Sequence, residues 1–121
     1  MLKKKISYVD YNGEERSEDF YFNLSKAEMM EMEMTTPGGY EAYIKKIVDA
    51  KDLKTLVAIF QELILKAYGE KSPDGKRFMK NDELRTAFKE TEAYSNLFIE
   101  LSTNTDAAVA FVNGILPKID K

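Results

Sequence analysis

Paired carboxylates are the first side chains in this sequence that could do acid–base chemistry: Asp82 with Glu83, and Glu90 with Glu92. Each pair sits where a helix start or a solvated helix face would place acids anyway, because the N-terminal end of a helix favours negative charge. The rest of the chain gives them little help. It has no histidine and no cysteine, which removes the commonest general base, the commonest metal ligand and every thiolate. There is no Gly-rich phosphate loop and no nucleophile elbow. Asp10-Tyr11-Asn12-Gly13 starts like a calcium loop, but its glycine falls at the fourth position instead of the sixth. The residues point away from an enzyme and imply no cofactor and no metal.

Methionine invites a different chemistry, which is binding. Met29, Met30, Met32 and Met34 fall within six positions, interleaved with Glu31 and Glu33. At roughly 100° per residue they spread over more than half of a helix circumference. They cannot all face one narrow core stripe. Two uses stay open. They fill an irregular seam between hairpin and helices, or they form an adaptable groove for amphipathic helices of a partner, which suits an unbranched, polarizable side chain. Leu65 lies off the stripe of its own helix and is either second-layer or exposed. The candidate partner-binding residues are therefore Met29, Met30, Met32 and Met34, with Leu65 a weaker addition.

Charge is unevenly spread. Net charge is −3, so the whole chain does not attract nucleic acid. From Asp10 to Glu33 there are eight acids and two bases; from Lys66 to Lys80 there are five bases and two acids. These are two solvated surfaces or two docking patches. Lys71, Lys76, Arg77 and Phe78 could touch nucleic acid, but the stretch is short, carries Glu70 and Asp74, and lacks further aromatic interleaving.

The elements that must position these residues begin with a hairpin. Asn12-Gly13 is a strong turn signal. A three-residue loop, Tyr11-Asn12-Gly13 with Gly13 left-handed, puts Leu2, Ile6, Tyr8, Phe20 and Phe22 on one face. It sets Lys5 opposite Asp19 and Ser7 opposite Ser17. A slip of one residue on one strand would destroy that pattern. A lone hairpin is marginal in water, so this one must lie on helices or pair with another chain.

Ser25 and Glu28 then form a capping box, with Leu24 and Met29 as the hydrophobic staple around it. The methionine segment reads as a short helix running out into an extended stretch. Thr35-Thr36-Pro37-Gly38-Gly39 breaks it. Tyr40, Tyr43, Ile44, Ile47 and Val48 keep helical spacing, and Asp52 caps a new helix. Its stripe, from Leu53 and Leu56 to Ala67 and Tyr68, ends at Gly69 as the residue after the helix. Glu70 to Lys80 reads as a polar connection with a turn at Ser72-Pro73-Asp74-Gly75. Asn81 opens another helix, Thr91 restarts it, and a last helix runs from about Thr105 to Gly114.

The expected fold is α+β: an N-terminal β-hairpin, about residues 2–22, packed on a bundle of four to five helices, about residues 25–116, in a single domain. The length of 121 residues, with 44% hydrophobic and 32% charged side chains, is that of one ordinary globular domain. No apolar run is long enough to cross a bilayer. Lys3, Lys4 and Lys5 lack the apolar core that would follow them in a signal peptide, and the absence of cysteine fits a reducing cytoplasm.

The stretches Asp10-Tyr11-Asn12-Gly13-Glu14-Glu15-Arg16 and Phe20-Tyr21-Phe22-Asn23-Leu24-Ser25-Lys26-Ala27-Glu28 carry a resemblance. So do the run from Leu65 to Phe78, Thr91-Glu92-Ala93-Tyr94-Ser95, and Phe111-Val112-Asn113-Gly114-Ile115-Leu116-Pro117. Together, over nearly the whole chain, they resemble the tail assembly chaperones of long-tailed bacteriophages and prophages of Gram-positive bacteria. The resemblance implies a protein of the bacterial host's cytoplasm that binds the tape-measure protein, a very long helical chain, and keeps it soluble. It would help to recruit tail-tube subunits of the major tail protein, and would not remain in the mature virion. A frameshifted form with a C-terminal extension is implied for many such phages. No catalytic residue is implied. The open edges of the hairpin could pair in a homo-oligomer. Two alternatives stand beside this: a structural tail or head–tail connector subunit, and a small nucleic-acid-binding regulator.

Overall fold

The computed structural model describes residues 1–35, 45, 49 and 53–117. Its first two strands are β1 (Leu2–Val9) and β2 (Glu15–Phe22), paired antiparallel. Gly13 adopts φ +80°, and its N–H donates to Asp10 O at 2.9 Å. Asp10 Oδ1 accepts from the N–H groups of Asn12 and Glu14, which closes the three-residue loop expected at Tyr11-Asn12-Gly13. The register follows: Lys5 faces Asp19, and Ser7 faces Ser17 with their hydroxyls 3.2 Å apart. Ile6 and Phe22 are buried on the inner face, and Leu2, Tyr8 and Phe20 pack against the core beside them.

The hairpin is not alone in its sheet. Helix α2 (Leu53–Ala67) runs straight into β3 (Tyr68–Lys71), which pairs with β2 and then with β4 (Phe78–Met79). The result is a four-stranded antiparallel sheet in the order β1-β2-β3-β4. The polar connection expected from Glu70 to Lys80 is thus a second, short hairpin. Its turn is where the sequence places it: Gly75 has φ +74° and bonds Ser72 O. The expected role of Gly69 as a helix end is also corrected. Gly69 lies in β3 because Tyr68 is drawn into the core, stacked on Phe88 with centroids 4.1 Å apart and edge-on to Phe22. Glycine is needed there for space: a Cβ would lie 2.7 Å from both Met79 O and Phe78 Cε2.

The helices start as their caps direct. Helix α1 (Lys26–Thr35) follows Ser25 and continues through Met34, so the extended stretch expected after Met30 is not formed. Helices α3 (Asp82–Lys89), α4 (Glu92–Thr103) and α5 (Thr105–Ile115) begin after Asn81, Thr91 and Asn104. Each of those cap side chains accepts a backbone N–H of the first turn, satisfying a donor the helix itself leaves orphaned. Of the break expected from Thr35 to Gly39, Thr35 is the last residue of α1; its other residues, the residues that carry the helical spacing from Tyr40 to Val48 and the cap at Asp52 lie outside the described residues.

The fold is α+β, with the sheet's inner face laid on the helices. The stripe of α2 supplies Phe60, Leu63, Ile64 and Ala67 to the core, as its spacing requires. Helix α4 joins the parts: it packs on α2, α3, α5 and β1. Phe22 is the hub, edge-on to Tyr68, Phe88 and Phe111 at 5.2–5.9 Å. Aromatic pairs in this geometry add about 0.5–1.5 kcal/mol each beyond their buried area.

Candidate partner-binding surface

Helix α1 is fixed at its first turn. Ser25 N–H donates to Glu28 Oε1 at 2.9 Å, and Glu28 N–H donates to Ser25 Oγ at 3.1 Å. This is the reciprocal capping box that the sequence predicts. The structure adds a partner from far along the chain. Lys80 Nζ donates to both carboxylate oxygens of Glu28 at 2.8 Å and to Asn23 O at 2.6 Å. The Lys80 side chain is 10% exposed and that of Glu28 is 27% exposed. Burial pushes the Glu28 carboxyl up, but the hydrogen bonds from Lys80 and Ser25 outweigh it and hold the group below the usual carboxylate value. Burial also pulls the Lys80 ammonium below its usual value, with Glu28 opposing. One carboxylate therefore caps α1 and ties it to the sheet–helix body.

Beyond that turn α1 presents Met30 and Met34 outward. Met29 is half-buried, Met30 is 65% exposed and Met34 is 82% exposed. Met30 and Met34 are one helical turn apart and share a face. The seam-filling use left open by the sequence does not hold for these two. The side chain of Met32 lies outside the described ones. Leu65 takes the second-layer option: it is half-buried on α2, packed against the core, and its C=O accepts from Arg85 Nε at 3.0 Å. It is less exposed than Met30 and Met34.

A second apolar surface was not foreseen. Gln61, Lys89, Tyr94, Ser95, Phe98 and Ile99 line an open groove of about 290 Å³, and Ile99 is 59% exposed. The signal was present: Ile99 lies off the Tyr94, Leu97, Phe98 and Leu101 face, as Leu65 does on its own helix.

A family model described as phage tail assembly chaperone matches residues 1–119. The chain belongs to the phage tail assembly chaperones. No curated relative and no solved structure matches it.

The chaperone's paired carboxylates stand at helix ends. Asp82 and Glu83 stand in the first turn of α3, and Glu92 in the first turn of α4. Glu90 is the C-cap of α3. The Glu92 carboxylate pushes the Tyr11 hydroxyl up. Among the described residues, no group of three metal-ligating side chains is assembled. No helix among them is long and apolar enough to cross a membrane.

The basic stretch is also partly consumed. Lys71 Nζ sits 4.7 Å from the centroid of the Tyr21 ring, and Lys80 is bound to Glu28. Lys76 and Arg77 remain exposed on the turn between β3 and β4. Asp74 in that turn accepts from Ser72 Oγ at 2.6 Å, which holds its carboxyl below the usual value.

Proposed function

We propose that this chaperone binds helical segments of the phage tape-measure protein through the exposed methionine face of α1, Met30 and Met34 foremost. The observation that carries this is an amphipathic mismatch. A helix pinned at its first turn by Ser25, Glu28 and Lys80 holds two large apolar side chains in water. Methionine adapts to varied apolar partners, and a long helical chain with exposed apolar stripes needs such a cover until it is packaged. The bound tape-measure protein stays soluble, and the complex helps to recruit tail-tube subunits. The work is binding without catalysis. It takes place in the host cytoplasm, and the chaperone leaves before the virion is complete.

Co-expression with fragments of the cognate tape-measure protein tests this. Fragments that stay soluble and co-purify with the chain support the reading. Fragments that aggregate regardless, together with recovery of the chain from purified virions, would replace it with a structural tail role.

A further inference from the structure

Strand β2 is paired along its whole length on one side only. On the β1 side every residue from Glu15 to Phe22 has a partner. On the other side β3 pairs with Tyr21 and Phe22, then turns away to pair with β4. The hydrogen bond from Asn23 N–H to Ala67 O sets the alternation. Odd-numbered residues of β2 direct their backbone groups to this second side. Glu15, Ser17 and Asp19 therefore hold N–H and C=O groups along an exposed edge without strand partners among the described residues. A cleft of about 470 Å³ opens where β3 departs, with Asp19, Phe20, Tyr68 and Glu70 in its walls.

The outer edge of β1 differs. Asn96 Nδ2 caps Ser7 O at 3.0 Å, and Lys3 and Lys5 stand along that edge, a common way of blunting it. The β2 edge has no such cap among the described residues. Its side chains specify what would pair there. From Glu14 to Asp19 there are four acids and one base, and that base, Arg16, is already engaged by Asp10, Glu14 and Glu18. Among the described residues Asp19 reaches only Lys3, at 3.7 Å and exposed, a pair of little strength. On the helix-facing side Phe20 and Tyr68 form an apolar floor.

We propose that the outer edge of β2, residues 15–19, accepts an extended segment of a partner protein in which basic and apolar side chains alternate. Backbone bonds to Glu15, Ser17 and Asp19 set the register, as in strand addition to an open sheet edge. Basic side chains fall beside Glu15 and Asp19, and apolar ones fall over Phe20. The site is separate from the methionine face of α1, so it stands or fails independently of it.

The probe is a labelled eight-residue peptide alternating lysine with valine, added to the full chain at low salt. Binding is read by anisotropy and by amide hydrogen exchange. The amides of Ser17 and Asp19 should gain protection. Ser17→Pro removes an outward N–H without touching the β1 ladder and should weaken binding about tenfold or more. The double variant Glu15→Lys, Asp19→Lys changes only exposed side chains and should do the same, so the test survives if the proline variant fails to fold. The proposal is overturned if the lysine–valine peptide does not bind or a glutamate–valine peptide binds as well. Protection that appears at Lys3 and Lys5 instead overturns it too. So do Ser17 and Asp19 amides already protected without peptide, which would show a second copy of the chain on this edge.

Discussion

Lys80 and Glu28 are 52 positions apart in the chain, yet Lys80 Nζ stands 2.8 Å from both oxygens of the Glu28 carboxylate. The pair is largely buried, and each charge depends on the other. Lys80→Met should destabilise the chain by about 2–3 kcal/mol, because Glu28 is left half-buried without its counter-charge. Urea unfolding at neutral pH measures this. A loss below about 0.5 kcal/mol, the range of an ordinary surface change, would show that the pair is not holding α1.

The same pair gives a pH signature. Glu28 is held below the usual carboxylate value in the folded chain. Its contribution is therefore fully present above the unfolded value, about 4.3, and is lost as pH falls through the lower folded value. In Lys80→Met the burial of Glu28 acts unopposed by the lysine and favours the neutral acid. Acidification through the carboxylate range should then harm the variant less than the parent. Stability curves of the two that stay parallel between neutral pH and pH 4 would contradict this.

Met30→Ser with Met34→Ser should leave folding stability within about 0.5 kcal/mol, since both side chains are exposed in the folded state. Affinity for a tape-measure helical fragment should fall by about tenfold or more, as truncating apolar anchors does at interfaces. Calorimetric binding and urea unfolding on the same samples separate the two effects. If unfolding is the only change, the methionine face is structural.

Local chemistry made part of this legible in the sequence. The hairpin register follows from the two-residue period of Leu2, Ile6, Tyr8, Phe20 and Phe22 and from one turn that suits Gly13. The capping box is a three-residue pattern at Ser25 and Glu28. What stayed hidden is non-local. Tyr68 and Gly69 continue an apolar helical stripe and supply a plausible helix end, so local preference favours α2 running on. The stacking of Tyr68 on Phe88 and the close approach of Phe78 make them a strand instead. Lys80 sits in a polar stretch with no pattern that points to Glu28. The exposure of Met30 and Met34 depends on how α1 leaves its first turn, which residue spacing alone does not fix.

Gly69→Ala and Gly13→Ala should both destabilise, for different reasons that experiment can separate. At Gly13 the added Cβ meets open space, and the strain lies in the left-handed φ of +80°, worth about 1–2 kcal/mol. Asn tolerates that region, so Gly13→Asn should recover part of the loss. At Gly69 the backbone is not left-handed. The Cβ would instead press on Met79 O and the Phe78 ring at 2.7 Å, and overpacking of this kind costs about 1–3 kcal/mol. Trimming the ring should relieve it: Phe78→Ala should rescue Gly69→Ala more than it rescues Gly13→Ala, read as a coupling in a double-mutant cycle. The backbone contact to Met79 O remains in either background, so the rescue should be partial. Complete absence of coupling would mean that β3 and β4 can separate without loss. The close β3–β4 approach would then not be what requires glycine at position 69.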